Sequence, residues 1–209
     1  MTTVWIIRHC DKPPTGDVCN KQGYLRARLL AGLTGRCAVS SSMCNNACVG
    51  TFSGGFWDRT LQGQAPTAIY AAVPTAINSL CTDTSNRMCL IMDPTAQSYG
   101  MEVNGDGALF CDTDNVGMAQ WIESNTGDVL VAWEHTNIPH LITALGVNCP
   151  VWPNTAQNRF DLVFRVDMIS RTLSICTQNL NLGGDSPILP AEYAQFGCTL
   201  SHVGGLAAF

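Results

Sequence analysis

Val4-Trp5-Ile6-Ile7-Arg8-His9-Cys10-Asp11-Lys12-Pro13 is the stretch on which the fold turns. Its apolar, mostly β-branched run reads as a buried strand, ended abruptly by an Arg-His pair and a charged, proline-stopped turn. In an open α/β sheet ligands bind outside the carboxyl ends of the strands, so a histidine delivered there is a candidate for chemistry rather than packing.

A second strand makes the same delivery. Asp128-Val129-Leu130-Val131-Ala132-Trp133-Glu134-His135 is apolar on both faces, as a central parallel strand should be, and it too ends in a histidine. Parallel strands end on one edge of a sheet, which brings His9 and His135 together. Ala68 to Val73 reads as a further buried strand stopped by Pro74. Between the strands lie helical patterns. Asn20 can cap a helix carrying Leu25, Leu29, Leu30 and Leu33, with Gly35 as its stop. From Arg87 a helix runs with Pro94 interrupting or starting it, followed by short extended pieces at 101–103 and 108–110. Asp114 can cap a helix through Met118, Trp121 and Ile122, and Asn137 to Gly146 forms a short helix with Pro139 in its first turn. The runs 160–169 and 172–179 form an antiparallel hairpin at the sheet edge. The expected fold is α/β: a three-layer sandwich, a mostly parallel sheet with helices on both faces and an antiparallel edge hairpin. Residues 1–209 are expected to form a single domain, with an irregular insertion at about 36–67 and a Gly/Pro-rich tail from about 183 wrapping the surface.

Charged residues make up only 13% of the chain, so each is informative. The net charge of −5 and the absence of a Lys/Arg run argue against a nucleic-acid partner. No apolar run approaches the roughly 18 to 20 residues of a membrane span. Eleven cysteines, an odd number, in a chain opening directly on a core strand predict a cytoplasmic protein with reduced thiols. Cys37, Cys44 and Cys48 lie close enough to suggest zinc, but without a CxxC or a nearby histidine they read better as buried or loop thiols.

Arg8 beside two imidazoles makes a pocket suited to an anion such as a phosphoryl group. Taken together, the strand ending in Arg8-His9, the helix with Gly23-Tyr24-Leu25-Arg26-Ala27, the strand Ile69-Tyr70-Ala71, Arg87, the run Leu130 to Pro139 and the closing Gln178 to Asp185 resemble the histidine phosphatase superfamily, also called phosphoglycerate mutase-like, in its small phosphatase-type members. The resemblance spans most of residues 4 to 183. It implies a metal-independent phosphomonoesterase, with no cofactor, that hydrolyses a small phosphorylated substrate through a phosphohistidine at His9. Arg8 and Arg87 would clamp the phosphoryl oxygens and His135 would donate to them. Phosphoryl transfer needs positioning and charge neutralisation above all, which such a set supplies. Arginines nearby would also keep His9 neutral, leaving the lone pair that attacks.

The leaving-group acid is expected on the segment before the fourth strand: Asp114 is placed best by its spacing from Arg87, with Asp112 and Glu102 behind it, and Asp114 can instead serve only as a helix cap. Glu134 is expected to orient a neighbour and Asp11 to brace the turn; His140 and His202 read as structural or exposed. Two departures stand inside the opening stretch. Cys10 replaces the usual glycine, placing a thiol beside cations that could lower its pKa and expose it to oxidation. Lys12 replaces a phosphate-binding arginine, keeping the charge but losing the bidentate fork. Two alternatives remain open: a catalytically weak or inactive member that binds phosphorylated ligands, and a phosphoglycerate mutase-type phosphotransferase. Substrate identity and oligomeric state are not legible.

Overall fold

The computed structural model describes residues 2–39, 43–198 and 200. The chain runs β1 (Thr2–Arg8), α1 (Lys21–Ala31), β2 (Leu33–Cys37), β3 (Cys48–Phe52), α2 (Phe56–Thr60), β4 (Ala68–Ala71), α3 (Arg87–Ser98), α4 (Asn115–Ser124), β5 (Gly127–Trp133), α5 (Ile138–Ala144), β6 (Leu162–Asp167) and β7 (Thr172–Thr177). β1 is the middle strand of a five-stranded sheet ordered β4-β5-β1-β6-β7. It pairs in parallel with β5, from Thr2 opposite Gly127 to Arg8 opposite Trp133, and β5 pairs in parallel with β4. β6 runs antiparallel to β1 and β7 antiparallel to β6, so β1, β4, β5 and β7 point one way and β6 alone is reversed. This is the expected α/β fold with a mostly parallel sheet flanked by helices, plus a separate two-stranded sheet.

The central strands are apolar on both faces because both are covered: Val4, Ile6, Ile7 and Val129 to Ala132 are fully buried. The covering helices pack as pairs, α1 on α3 and α4 on α5. One hydrophobic core reaches from Val4 to Tyr193. α1 is capped by Asn20, whose side chain accepts from the Gly23 amide at 2.8 Å. It ends three residues earlier than its apolar spacing predicts. Gly32, at φ +70°, takes the left-handed turn and bonds back to the Arg28 and Leu29 carbonyls. Gly35 instead lies inside β2, where a side chain would collide with the Val49 carbonyl across the pair.

The insertion is not irregular throughout. Leu33–Cys37 and Cys48–Phe52 form an antiparallel hairpin in register, with Cys37 opposite Cys48, and α2 follows. Gly35, Thr51 and Gly50 give this hairpin no apolar alternation, which is why its period is invisible in the sequence. Phe56 and Trp57 are fully buried and anchor the insertion. The pieces at 101–103 and 108–110 are not strands; turns there are tied to β4, with the Asn104 side chain bonding both polar groups of the Ala71 backbone and Tyr70 donating to the Ala108 carbonyl. The tail does more than wrap: Tyr193 in a 3-10 turn is completely buried.

The reduced-thiol expectation is corrected. Ten cysteines pair as Cys10–Cys19, Cys37–Cys48, Cys44–Cys89, Cys81–Cys111 and Cys176–Cys198, leaving Cys149 buried and free. Cys10 therefore has no thiol to ionise or oxidise, and Cys37, Cys44 and Cys48 are spoken for. Pairings such as Cys44 with Cys89, 45 residues on, are made by tertiary proximity that spacing does not encode. No helix among the described residues is long and apolar enough to cross a membrane.

Candidate active site

The parallel register decides the geometry. Arg8 lies opposite Trp133, and the His9 amide donates to the Trp133 carbonyl at 3.2 Å, so both chains leave the sheet side by side. His9 and His135 follow at the same edge with ring centroids 5.5 Å apart in a T-shaped arrangement. Arg8 lies between them: its Nη2 is 3.2 Å from His9 Nε2, to which it donates, and 3.2 Å from His135 Nδ1, whose own proton goes to Glu134.

Each ring is oriented by a defined partner. His9 Nδ1 donates to the Cys10 carbonyl at 2.8 Å, which leaves Nε2 as the lone-pair nitrogen. Burial, then the charges of Arg8 and Arg87, hold the His9 pKa well below the usual 6.5, so the ring is neutral. His135 Nδ1 lies 2.5 Å from Glu134 Oε1. Glu134 Oε2 accepts from the Thr136 amide at 2.6 Å and from the Asn137 amide at 3.3 Å. Although burial opposes its charge, hydrogen bonds from His135 and Thr136 keep the Glu134 carboxylate at about 2.

Arg8 is held more firmly than the sequence suggests. Its Nη1 donates to the Gln157 carbonyl at 2.8 Å and the Arg159 carbonyl at 3.2 Å, and its guanidinium stacks on Phe160 with Cζ 3.9 Å from the ring centroid. Burial pulls its pKa down to about 9 against the favourable fields of Glu134 and Asp11, which still leaves it cationic at neutral pH. Its Nε is buried with no hydrogen-bond partner among the described residues. The segment 152–160 has no signal of its own in the sequence, because it acts through backbone carbonyls and the faces of Trp152 and Phe160.

Arg87 opens α3 half-buried, and its Nε donates to Ser85 Oγ at 2.5 Å. Its charge is felt at both Arg8 and His9. The three acid candidates separate cleanly. Asp114 is exposed and caps α4, accepting from the Gly117 amide at 3.0 Å. Glu102 is exposed and lines a cavity of about 250 Å³ with Thr67 and Asn125, at the edge where β4 and β5 begin, opposite to His9. Asp112 is buried and takes a hydrogen bond from Asn137 Nδ2 at 3.2 Å, one residue from Thr136 and two from His135. Burial raises its pKa, helped by Asp83 and Glu134. Lys12 is exposed, and its carbonyl accepts from the Asn20 side chain at 3.2 Å. Asp11 is buried and ion-paired at 2.8 Å to Arg26, which also reaches Asp185 at 2.7 Å and Gln178 at 2.9 Å, tying the opening stretch to the closing one. Gly23 permits this approach, since a Cβ there would stand 2.7 Å from the Asp11 carbonyl. His140 is exposed on α5, and His202 lies outside the described residues.

His9, Glu134 and His135 offer ligand atoms within 4.8 Å of one another, a spacing a metal could use. The Arg8 guanidinium stands between the two imidazoles, however, and Coulomb repulsion there favours an anion over a cation. Chemically the arrangement offers a neutral imidazole lone pair, two guanidinium groups and a buried protonatable carboxyl.

No family model and no curated protein matches the chain. Among solved structures, it is similar to a protein of Agrobacterium tumefaciens provisionally described as the phosphohistidine phosphatase SixA. The TM-score is 0.37 and the identity 12%, covering 79% of this chain and 90% of that one.

Proposed function

We propose that the protein is a phosphomonoesterase of the histidine phosphatase type, acting on a small phosphorylated substrate without a metal. The carrying observation is the fixed tautomer of His9, with Nδ1–H bound to the Cys10 carbonyl and the Nε2 lone pair directed at Arg8 Nη2. An incoming phosphoryl group would take over that N–H with its oxygens, freeing Nε2 for in-line attack. The new P–N bond forms as the P–O bond to the leaving group breaks, and Asp112 rather than Asp114 supplies the leaving oxygen's proton. Arg87 and His135 complete the clamp on the equatorial oxygens, with Glu134 orienting His135. Lys12 is free to meet a more distal part of the substrate. Water then attacks phospho-His9 and returns phosphate.

A second reading is a phosphate-binding member without turnover, favoured by the same Arg8 contact if Arg8 holds the lone pair even when phosphate is bound. A generic aryl phosphate separates the two. Turnover with an acid-labile phosphoenzyme, both abolished in His9→Ala, is expected; saturable phosphate binding with no turnover in the wild type would leave only the second reading. Transfer between the hydroxyls of a phosphoglycerate would favour the mutase instead.

Residues 1–209 are taken as one domain, a reading supported by the continuous core. The cytoplasmic expectation came together with that of reduced thiols. Five disulfides support an oxidising compartment instead, where such bonds form and persist.

A further inference from the structure

We infer that the Cys10–Cys19 disulfide is a positioning element of the candidate active site, holding His9 and Arg87 through a single closed loop. Its affinity readout rests on the proposed function; its spectroscopic readout does not.

Cys10 supplies the carbonyl that fixes the His9 tautomer. Its sulfur is bonded to Cys19, nine residues on, with Cα atoms 5.7 Å apart and both residues buried. Buried Asp11, paired to Arg26, anchors the loop between them at its root, but beyond it Lys12 and Pro14 through Asp17 are exposed. Its neck is closed by Asn20, whose amide donates to the Asp11 carbonyl at 2.9 Å and whose side chain donates to the Lys12 carbonyl at 3.2 Å. Its far side reaches Arg87. The Asp17 carbonyl accepts from the Asn86 amide at 3.1 Å and from Ser85 Oγ at 3.5 Å, and Ser85 Oγ receives Arg87 Nε. One crosslinked loop therefore touches the lone-pair imidazole at its root and the second guanidinium at its crown. Without the crosslink, the ordering of residues 12–18 would have to be offset by a few hydrogen bonds, each worth only ~1 kcal/mol. The same device recurs beside the other proposed groups: Cys89 stands two residues after Arg87, bonded to Cys44, and Cys111 immediately precedes Asp112, bonded to Cys81. A glycine after the histidine could not provide this hold, which gives Cys10 a physical role at that place.

The test compares two double variants that open loops of similar length. Cys10→Ala/Cys19→Ala opens the site loop, and Cys37→Ala/Cys48→Ala opens the β2–β3 hairpin, whose cysteines are 11 residues apart. Two readouts are taken at matched temperature below unfolding: the imidazole nitrogen spectrum of His9, and calorimetric binding of inorganic phosphate. The site variant is expected to lose the single protonated-Nδ1 signature and to bind phosphate about tenfold more weakly, ~1.4 kcal/mol. The hairpin variant keeps both while losing comparable stability. The inference is overturned if the site variant retains the His9 signature and binds within about twofold of wild type, or if both variants lose alike. If wild type binds no phosphate yet the His9 signature depends on the disulfide, the phosphatase reading fails and the positioning role stands. Should the site variant not fold, Ser85→Ala removes the hydroxyl that joins the Asp17 carbonyl to Arg87 Nε, leaving the Asn86 amide on Asp17. A lower phosphate affinity with the His9 signature intact supports the loop's hold on Arg87, and an unchanged affinity refutes it.

Discussion

His9 is subject to opposing influences, and their balance sets its chemistry. The hydrogen bond to the Cys10 carbonyl favours the charged ring, but burial and the neighbouring guanidinium charges outweigh it, and the pKa falls well below 6.5. Asp112 moves the other way, raised from 3.8 mainly by burial. On the proposed mechanism the base must be deprotonated and the acid protonated. Activity therefore falls at low pH as His9 gains its proton, and falls again on the alkaline side as Asp112 loses its own. The kcat/KM profile is expected to peak on the acid side of neutrality. Asp112→Asn should lower the rate by about 10²-fold and flatten the alkaline limb, judged from pH–rate profiles. An alkaline limb that persists in this variant would remove Asp112 as the acid. Asp114→Ala should instead cost about 1 kcal/mol of stability through the lost α4 cap and leave that limb in place. Spacing along the chain favours Asp114, but it cannot report that the α4 cap faces solvent while Asp112, two residues earlier, turns into the protein.

At the scale of elements, Asp93 on α3 shows how the insertion is attached. Its carboxylate accepts from the Asn45 amide at 2.8 Å, the Asn46 amide at 3.2 Å and Asn46 Nδ2 at 2.7 Å. Burial outweighs these bonds and raises its pKa from 3.8 to about 6. A carboxyl whose folded pKa exceeds its unfolded one holds its proton more tightly when folded. Its contribution to stability is thus fully present below the unfolded value and lost as pH rises through about 6. Denaturation midpoints measured across pH 4 to 6 should therefore decline with a contribution on the order of 2–3 kcal/mol from this group. Asp93→Asn should remove most of that slope; an identical slope would show that other groups cause it. The strands and helices around this point were legible wherever one physical pattern dominated. Continuous apolar runs marked β1 and β5, and Asn20 marked the start of α1. The β2–β3 hairpin was not legible, because its glycines and cysteines are chosen for close backbone approach and crosslinking, and neither leaves a hydrophobic period.

For the molecule as a whole, crosslinks supplement a sizeable core. Cys176–Cys198 ties β7 to the tail over 22 residues, and the Ile175 carbonyl accepts the Cys198 amide at 3.0 Å. The chain-entropy relation gives about 3 kcal/mol for closing a loop of that length. Cys176→Ala/Cys198→Ala should cost roughly that amount in reversible denaturation, read as a lower midpoint at unchanged slope. A loss much below 1 kcal/mol would mean that buried Tyr193 and the strand-edge contacts already hold the tail.

By itself the sequence determined the α/β class and the convergence of Arg8, His9 and His135 on one edge, because strand burial and parallel direction are written in local residue pattern. The ion pairs of Arg26 with Asp11 and Asp185, the carbonyls that hold Arg8, the burial of Asp112 and the pairing of ten cysteines were decided only by the tertiary structure. Each depends on which distant segments meet, and that distance in space is not a function of distance along the chain. The opening stretch carries both lessons: its strand and its histidine could be read directly, while the role of Cys10 depended on where Cys19 comes to lie.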